Sequence, residues 1–427
     1  MNRLWNQGRA LCLAGLWLAV HASAQSDEPA AVEPAADAAG LCATIAEGER
    51  LLAENHLPAP DDAAKGALLE ALLRASEPTV VFLDEEELAS RCQQEATQEW
   101  TLGLTLVEME DSLPKIVAVA AETPAATAGI QPGEFVQKIG DQDLATGATL
   151  KQVRSLLLAG EEPELAVSIL DPTGQSRALT LVRTRRERTA LTDIEDLPVN
   201  MGYMRAAGIF TGAGAEIVAC LDKWQAAGKI GAILDLREAD GTAEDEVAIV
   251  AAKFTPRDDV LYTMNDRQGH EIKTVKATAP AAPTLPLMVL VDGETCGAAE
   301  LLAAVLSGSV QGAMVIGQET AGDPLIREAK QLPTGRYALL ATRQLKAANG
   351  AVYAGGRGVQ PDVVISSAAL HETFYEPESP VLRKGKTLSE EEKEDRALRD
   401  RTRHDAYLRR ATDVLLGLKA LGYGRQH

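Results

Sequence analysis

Thr295 and Cys296 place a hydroxyl and a thiol side by side just before an apolar helical run, Ala298 to Leu306. A group at a helix start lies among unsatisfied backbone N–H donors and near the positive end of the helix dipole, which favours an anion and can lower a thiol pKa. Before them come an unbroken apolar run, Leu287 to Val291, and the turn Asp292-Gly293-Glu294; after the helix come a second apolar run, Met314 to Ile316, and a polar loop, Gly317 to Asp323. Buried strand, Gly-containing turn and Ala/Leu-rich helix form an arrangement that presents reactive groups at a strand end. Covalent chemistry there needs a base within hydrogen-bond reach of the nucleophile. No such base is apparent, since an unshifted Asp323 is ionised near neutral pH and is a weak base for a hydroxyl.

The elements that must position this turn are read from periodicity. Met201 to Arg205, a helix from Ala213 to Ala227 and the strand Ile230 to Arg237 alternate as strand, helix and strand, which points to an α/β domain. The loop Glu238-Ala239-Asp240-Gly241-Thr242 follows that last strand. Upstream, Trp100 to about Arg186 alternates short strands with turns. It includes Leu102-Gly103-Leu104-Thr105-Leu106, a strand from Lys115 to Ala120, Ala128-Gly129-Ile130-Gln131-Pro132-Gly133-Glu134, a helix from Leu150 to Leu158 and a strand from Leu165 to Leu170. Arg183 to Arg188 reads as a charged link. Leu41 to about Glu99 carries helical spacing, with Asp61-Asp62 as N-cap candidates; Phe82-Leu83-Asp84-Glu85 near its end reads as part of a helix packed on its neighbours. Near the end of the chain Ser389-Glu390-Glu391-Glu392 is a capping box, and Leu408, Ala411, Leu415 and Leu418 keep the period of a helix that packs on the core. Asn349-Gly350 is a hairpin turn signal.

These segments resemble the C-terminal processing peptidases, also called tail-specific proteases, which are Ser–Lys hydrolases. The family writes the turn as S-A-S-A-S-E, its middle Ser the nucleophile, and the later loop as G-E-x-T-F-G-K, its Lys the base. Aligned on Glu300 and Gly317, the nucleophile position holds Gly297, the base position holds Asp323, and a third position, Gln in some members, holds Arg327. The family's L-D-L-R-x-N-x-G-G, whose glycine loop donates a backbone N–H to the oxyanion, is here Leu234-Asp235-Leu236-Arg237 and a loop keeping Gly241 but carrying Thr242; Glu238 and Asp240 would oppose an oxyanion if they faced the pocket. Gly358-Val359-Gln360-Pro361-Asp362 is close to G-[IV]-x-P-D, and the turn through Gly129 and Gly133 resembles bacterial PDZ domains, which take a peptide C-terminus as an added strand. By that resemblance Leu102, Gly103, Leu104 and Thr105 line the peptide groove.

The resemblance implies an α/β fold: a crotonase/Clp-protease-like peptidase core with a PDZ-like domain upstream and helical N- and C-terminal segments. The expected division is 1–24 signal peptide, 25–40 linker, 41–99 N-terminal helical region, 100–186 PDZ-like domain, 187–368 peptidase-like core and 369–427 C-terminal helical tail. Gly297 has no side chain to attack a carbonyl, so the expected outcome is a peptidase fold without its dyad, binding protein or peptide C-termini, an active peptidase relative being a further candidate partner. A working endopeptidase with a relocated nucleophile, Cys296 or Thr295, is the alternative. A structural module with a closed PDZ-like groove is a third reading. Restoring Gly297→Ser with Asp323→Lys is expected to recover weak hydrolysis if the pocket is otherwise intact.

Composition bounds the class. The chain has 427 residues, 46% hydrophobic and 24% charged, enough for more than one domain, and a formal net charge of -20, which argues against nucleic acid or an anionic membrane as partner. Arg3 and Arg9, the apolar run Ala10 to Val20 and Ala22-Ser23-Ala24 form a signal-peptide pattern, and the run is short of the roughly 20 residues a membrane span needs. Periplasmic or secreted localisation is therefore expected, with the Ala/Pro/acidic stretch Ser26 to Gly40 as a tether. In that oxidising setting Cys42 and Cys92 are candidates for a bridge worth roughly 4 kcal/mol in the chain-entropy model, while Cys220 reads as a buried small hydrophobe. No Cys-x-x-Cys or His-Glu-x-x-His pattern occurs, so neither metal nor cofactor is expected.

Overall fold

The computed structural model describes residues 38–56, 58–77, 80–88, 98–109, 111–158, 162–187, 190–278, 285–307, 312–348, 357–371 and 388–422. The signal-peptide run, nearly all of the tether, Cys92 and the Asn349-Gly350 turn lie outside the described residues, as does the side chain of Cys42. Two compact units are present, one of residues 1–95 with 327–341 and the other of residues 96–326 with 342–427.

The smaller unit holds the helices Ala38–Glu54 and Asp62–Ser76. Asp61 caps the second, accepting from the Ala64 N–H at 2.7 Å. Phe82-Leu83 lies not in a helix but in the short strand Val81–Leu83, which pairs antiparallel with residues 337–339. Arg336 fixes this arrangement with one bond to Glu70 and another to the Phe82 carbonyl.

The larger unit is built on a six-stranded sheet in the order Leu191–Leu197, Met201–Ala206, Gly231–Asp235, Leu287–Val291, Ala313–Gly317, Val363–Val364. The first pair is antiparallel and the rest are parallel. Parallel strands covered on both faces need unbroken apolar sequence, and Gly231–Asp235 and Leu287–Val291 are buried at every residue. One face packs on the helices Ala213–Ala226, Glu244–Ala251 and Gly297–Leu306, through Ile217, Val247, Leu301 and Val289 among others. The opposite face, with Met201, Ile233, Met288 and Ile316, packs on Leu408, Ala411 and Leu415 of the helix Ala406–Ala420. The expected α/β core is therefore present, with its reactive turn at the carboxyl ends of the strands, where open parallel sheets leave a crevice.

The same unit carries an antiparallel sheet in the order Leu104–Val107, Lys115–Val119, Phe135–Ile139, Glu164–Leu170, Ser176–Val182, with the helix Leu150–Leu158 and a core of its own around Ile116, Val136, Val153 and Ile169. The stretch read as a charged link is instead largely a strand, Thr184–Glu187, paired antiparallel with Gln98–Thr101. Arg183, at its start, is buried and donates to the Leu157 and Glu162 carbonyls, so its charge serves the end of a helix and not a solvated tether. Ser389 and Glu392 form the expected capping box. Among the described residues, no helix is long and apolar enough to cross a membrane.

Candidate functional site

Gly297 is the first residue of the helix Gly297–Leu306, and the loop Gly317 to Asp323 folds against that helix start. Glu300 makes the junction. Its buried carboxylate accepts from the Gly322 N–H at 2.7 Å, the Asp323 N–H at 3.0 Å and the Thr320 hydroxyl. Burial pushes its pKa up, and these donors work against the rise. The Thr320 hydroxyl in turn accepts from the Val359 N–H at 2.7 Å, which ties in the Gly358-Val359 segment. The helix start that begins at Gly297 and the loop that ends at Asp323, the positions aligned with nucleophile and base, are thus brought together. Arg327 lies half-buried in the strand Leu325–Gln331, within the smaller unit.

The glycine loop closes on the helix start. Cys296 donates its N–H to the Ala239 carbonyl at 3.0 Å, and Ala298 donates its N–H to the Gly241 carbonyl at 2.9 Å. Gly241, at φ +142°, has no room for a side chain, because a Cβ there would lie 2.3 Å from the Ile209 carbonyl oxygen. Gly297 is equally confined: φ is +58°, and a Cβ would lie 2.5 Å from the Gly241 oxygen. An oxyanion pocket offers N–H groups to developing negative charge. Here a carbonyl oxygen already takes the Ala298 donor. Thr242 is exposed. The Glu238 carboxylate turns to Arg205, 3.1 Å away, and so does not add charge to the pocket as the sequence allowed. Asp240 is near enough to Cys296 to act on its thiol.

The two fallback nucleophiles are both engaged in other ways. Thr295 is buried, its hydroxyl accepting from the Asp292 N–H at 3.0 Å and donating to the Leu236 carbonyl at 2.8 Å, which makes it a fastener between neighbouring strand ends. Cys296 is a free cysteine whose thiol is pushed up to about 12, first by burial and then by Asp240, Glu300, Asp323 and Glu294. Four carboxylates around a half-buried sulfur thus act against the thiol activation that a helix start offers. Cys220 is half-buried on the helix Ala213–Ala226, its pKa also raised by burial.

Asp235 and Arg237 point away from this pocket. The fully buried Arg237 donates to both carboxylate oxygens of Asp235 and, at 3.0 and 2.9 Å, to both of Asp405, and its guanidinium lies 5.0 Å from the Tyr407 ring centroid. Asp405 also caps the helix Ala406–Ala420 through the Tyr407 and Leu408 N–H groups. Tyr203 donates to Asp235 at 2.8 Å, and Tyr407 donates to Gln318 at 2.8 Å. Burial alone would raise the Asp235 pKa; Arg237 and Arg205 hold it well below the usual carboxylate range. The C-terminal helix is thereby bolted to the strand end that carries the glycine loop and to the start of the Gly317 loop. Sequence reading missed Asp405 and Tyr407; the available signal was an Asp directly before an apolar-periodic helix.

Leu102, Gly103, Leu104 and Thr105 lie together at one border of the antiparallel sheet. Leu104 and Thr105 pair with Val119 and Ala118, and the Leu102 and Gly103 carbonyls accept from Ala125 and Ala120. Leu104–Val107 is the terminal strand of that sheet, so among the described residues it is paired along one side only. Leu104, Leu156 and Leu157 are only partly covered and rest on the same apolar cluster.

Comparison with known proteins agrees with the core described above. Residues 200–365 match the model of peptidase family S41, a span that contains Gly241, Gly297 and Asp323. The chain is 29% identical over 275 residues to a carboxyl-terminal-processing protease of Synechocystis sp., covering 63% of each, and 23% identical over 304 residues to the carboxy-terminal processing protease CtpA of Bacillus subtilis, covering 71% of this chain and 64% of that protein. It spans a little under two thirds of these relatives' lengths. Among solved structures it is similar to a photosystem II D1 C-terminal processing protease, at 23% identity and a TM-score of 0.49, over 73% of this chain and 84% of that one. The chain therefore carries a peptidase family S41 domain across residues 200–365, and its homologues are carboxyl-terminal processing proteases.

Proposed function

We propose that this protein is an exported, non-catalytic relative of the carboxyl-terminal processing proteases that binds peptide or protein C-termini through residues 100–186, a PDZ-like domain, with 187–368 as its silent peptidase-like core. The observation that carries the non-catalytic half is the bond from the Ala298 N–H to the Gly241 carbonyl, made beside a Gly297 that has no nucleophile and an Asp323 that is no neutral amine. Peptide binding is supported by the one-sided pairing of Leu104–Val107, whose backbone groups are open to an added strand, and by the partly covered Leu104, Leu156 and Leu157 beside it. Such a protein would act as an adaptor or as a regulator of an active relative. The leader pattern at Arg3 to Ala24 supports export to the periplasm or beyond.

Two measurements test the two halves separately. The protein incubated with an unstructured substrate and followed by mass spectrometry should yield no fragment; a fragment lost in Cys296→Ala would establish the relocated-nucleophile reading instead. Fluorescence anisotropy with a library of labelled peptides should detect members that bind with a free C-terminal carboxylate and fail when amidated. No binding up to millimolar concentration would leave the groove closed and the peptide-binding reading wrong.

A further inference from the structure

His404 stands in the turn between the helices Glu390–Thr402 and Ala406–Ala420, directly before the N-cap Asp405. Its ring lies over Gly133, in the Pro132-Gly133-Glu134 turn of the antiparallel subdomain. A Cβ at Gly133 would be 2.9 Å from the ring Cε1 and 3.0 Å from Nδ1, so the imidazole occupies the space that the glycine leaves open. The junction around it is apolar, with Val107, Met109 and Val117 of the subdomain in one cluster with Leu398, Ala406, Tyr407 and Leu408 of the helices. His404 Nδ1 is enclosed and meets no hydrogen-bond partner among the described residues.

The charges facing this imidazole are cationic. Lys115, from the strand Lys115–Val119, is 4% exposed and among the described residues reaches the Leu370 carbonyl, at 3.5 Å; Arg403 is the adjoining residue. The acids nearby are committed: Asp400 to Arg403 at 2.9 Å, Asp405 to Arg237 and its helix cap, and Glu134 to Arg177. Asp405 and Arg409 act on Lys115 with opposite sign. A third positive charge at this junction would thus be partly desolvated and placed beside two others, with no acceptor for a proton on Nδ1 among the described residues.

We propose that His404 is a proton-operated latch: neutral, it lets the antiparallel subdomain seat on the C-terminal helices, and protonated, it releases that seat. Burial, then Lys115 and Arg403, hold the His404 pKa below that of a free histidine. An opened junction therefore binds more protons than a closed one as pH falls through about 6.5, and closure weakens through that window. Val107 belongs to both the junction and the terminal strand Leu104–Val107, so release would also alter the strand to which a peptide would add. The latch itself does not depend on peptide binding or on the absence of catalysis.

Hydrogen exchange of the full chain at pH 8 and pH 5, corrected for intrinsic rates, reads the latch directly. Segments 104–119, 130–139 and 398–412 should lose protection at pH 5, by about tenfold for each unit by which the His404 pKa lies below a free histidine's. His404→Gln, neutral at both pH values, should keep its pH 8 protection at pH 5. The His404 C2–H resonance should titrate below the free value. Unchanged protection in the wild type, an equal loss in His404→Gln, or a His404 resonance titrating at or above the free value would each overturn the proposal, and the first and last need no variant to fold.

Discussion

Ala298 gives its backbone N–H to the carbonyl oxygen of Gly241 across 2.9 Å, which joins the loop behind one core strand to the helix behind the next. That backbone donor is satisfied within the chain, and the accepting oxygen lies 2.5 Å from where a Cβ of residue 297 would be. Gly297 is thus part of a closed backbone arrangement as well as a missing hydroxyl.

Gly297→Ser combined with Asp323→Lys should accordingly fail to restore hydrolysis. The sequence left that restoration conditional on an intact pocket, and the 2.5 Å approach to the Gly241 oxygen with φ at +58° removes the condition. Gly297→Ser alone should destabilise by about 1–3 kcal/mol, the range for a side chain forced into left-handed backbone or against a fixed neighbour. Urea unfolding measures the cost, and mass spectrometry of an incubated unstructured substrate checks the activity; detectable turnover by the double variant would mean that the Gly241 loop swings away.

Cys296 should be nearly inert to alkylation at neutral pH. With the thiol pushed up to about 12, its thiolate fraction at pH 7.5 is roughly three orders of magnitude below that of a free cysteine. Mass-spectrometric tracking of iodoacetamide labelling on the folded chain, against glutathione in the same tube, gives the ratio. Labelling at the rate of glutathione would show a sulfur exposed and activated, contrary to its enclosure by Asp240, Glu294, Glu300 and Asp323.

Much of this architecture was legible because strand, turn and helix leave local signatures. The unbroken run Leu287 to Val291, the period of Leu408, Ala411 and Leu415, and the Ser389–Glu392 box each specify their element within a few residues, and each element is where it was expected. Two readings of charged residues go astray for one cause. Arg183 to Arg188 reads as a charged link because charge dominates it, but a long side chain can be buried by partners elsewhere in the chain, here for Arg183 the carbonyls of Leu157 and Glu162. Glu238 next to the glycine loop reads as a threat to an oxyanion until Arg205, 33 residues away, is seen to hold it. The closure of Gly241 on Ala298 leaves no mark in the sequence at all, since it is made by backbone.

The buried Asp235–Arg237–Asp405 network holds the C-terminal helix to the core. Arg237→Met should cost about 3–5 kcal/mol, because it takes from the buried Asp405 its guanidinium partner and leaves the buried Asp235 only the more distant Arg205 at 3.7 Å. The loss should appear first in the helix Ala406–Ala420, whose cap is Asp405 and whose Tyr407 lies under the guanidinium. For pH the sign follows from Asp235, whose folded-state pKa is depressed by Arg237 and Arg205 against the effect of burial. A depressed carboxylate contributes its stability in full above its unfolded value, about pH 4, and loses it as pH falls from there toward the folded value. Unfolding free energy measured between pH 6 and 2 should therefore be flat at first and then fall more steeply in the wild type than in Asp235→Asn, which has no proton to take up at that position. Parallel slopes in the two proteins would mean that the pair is not intact in solution, and with it the attachment of the C-terminal helix to the strand Gly231–Asp235.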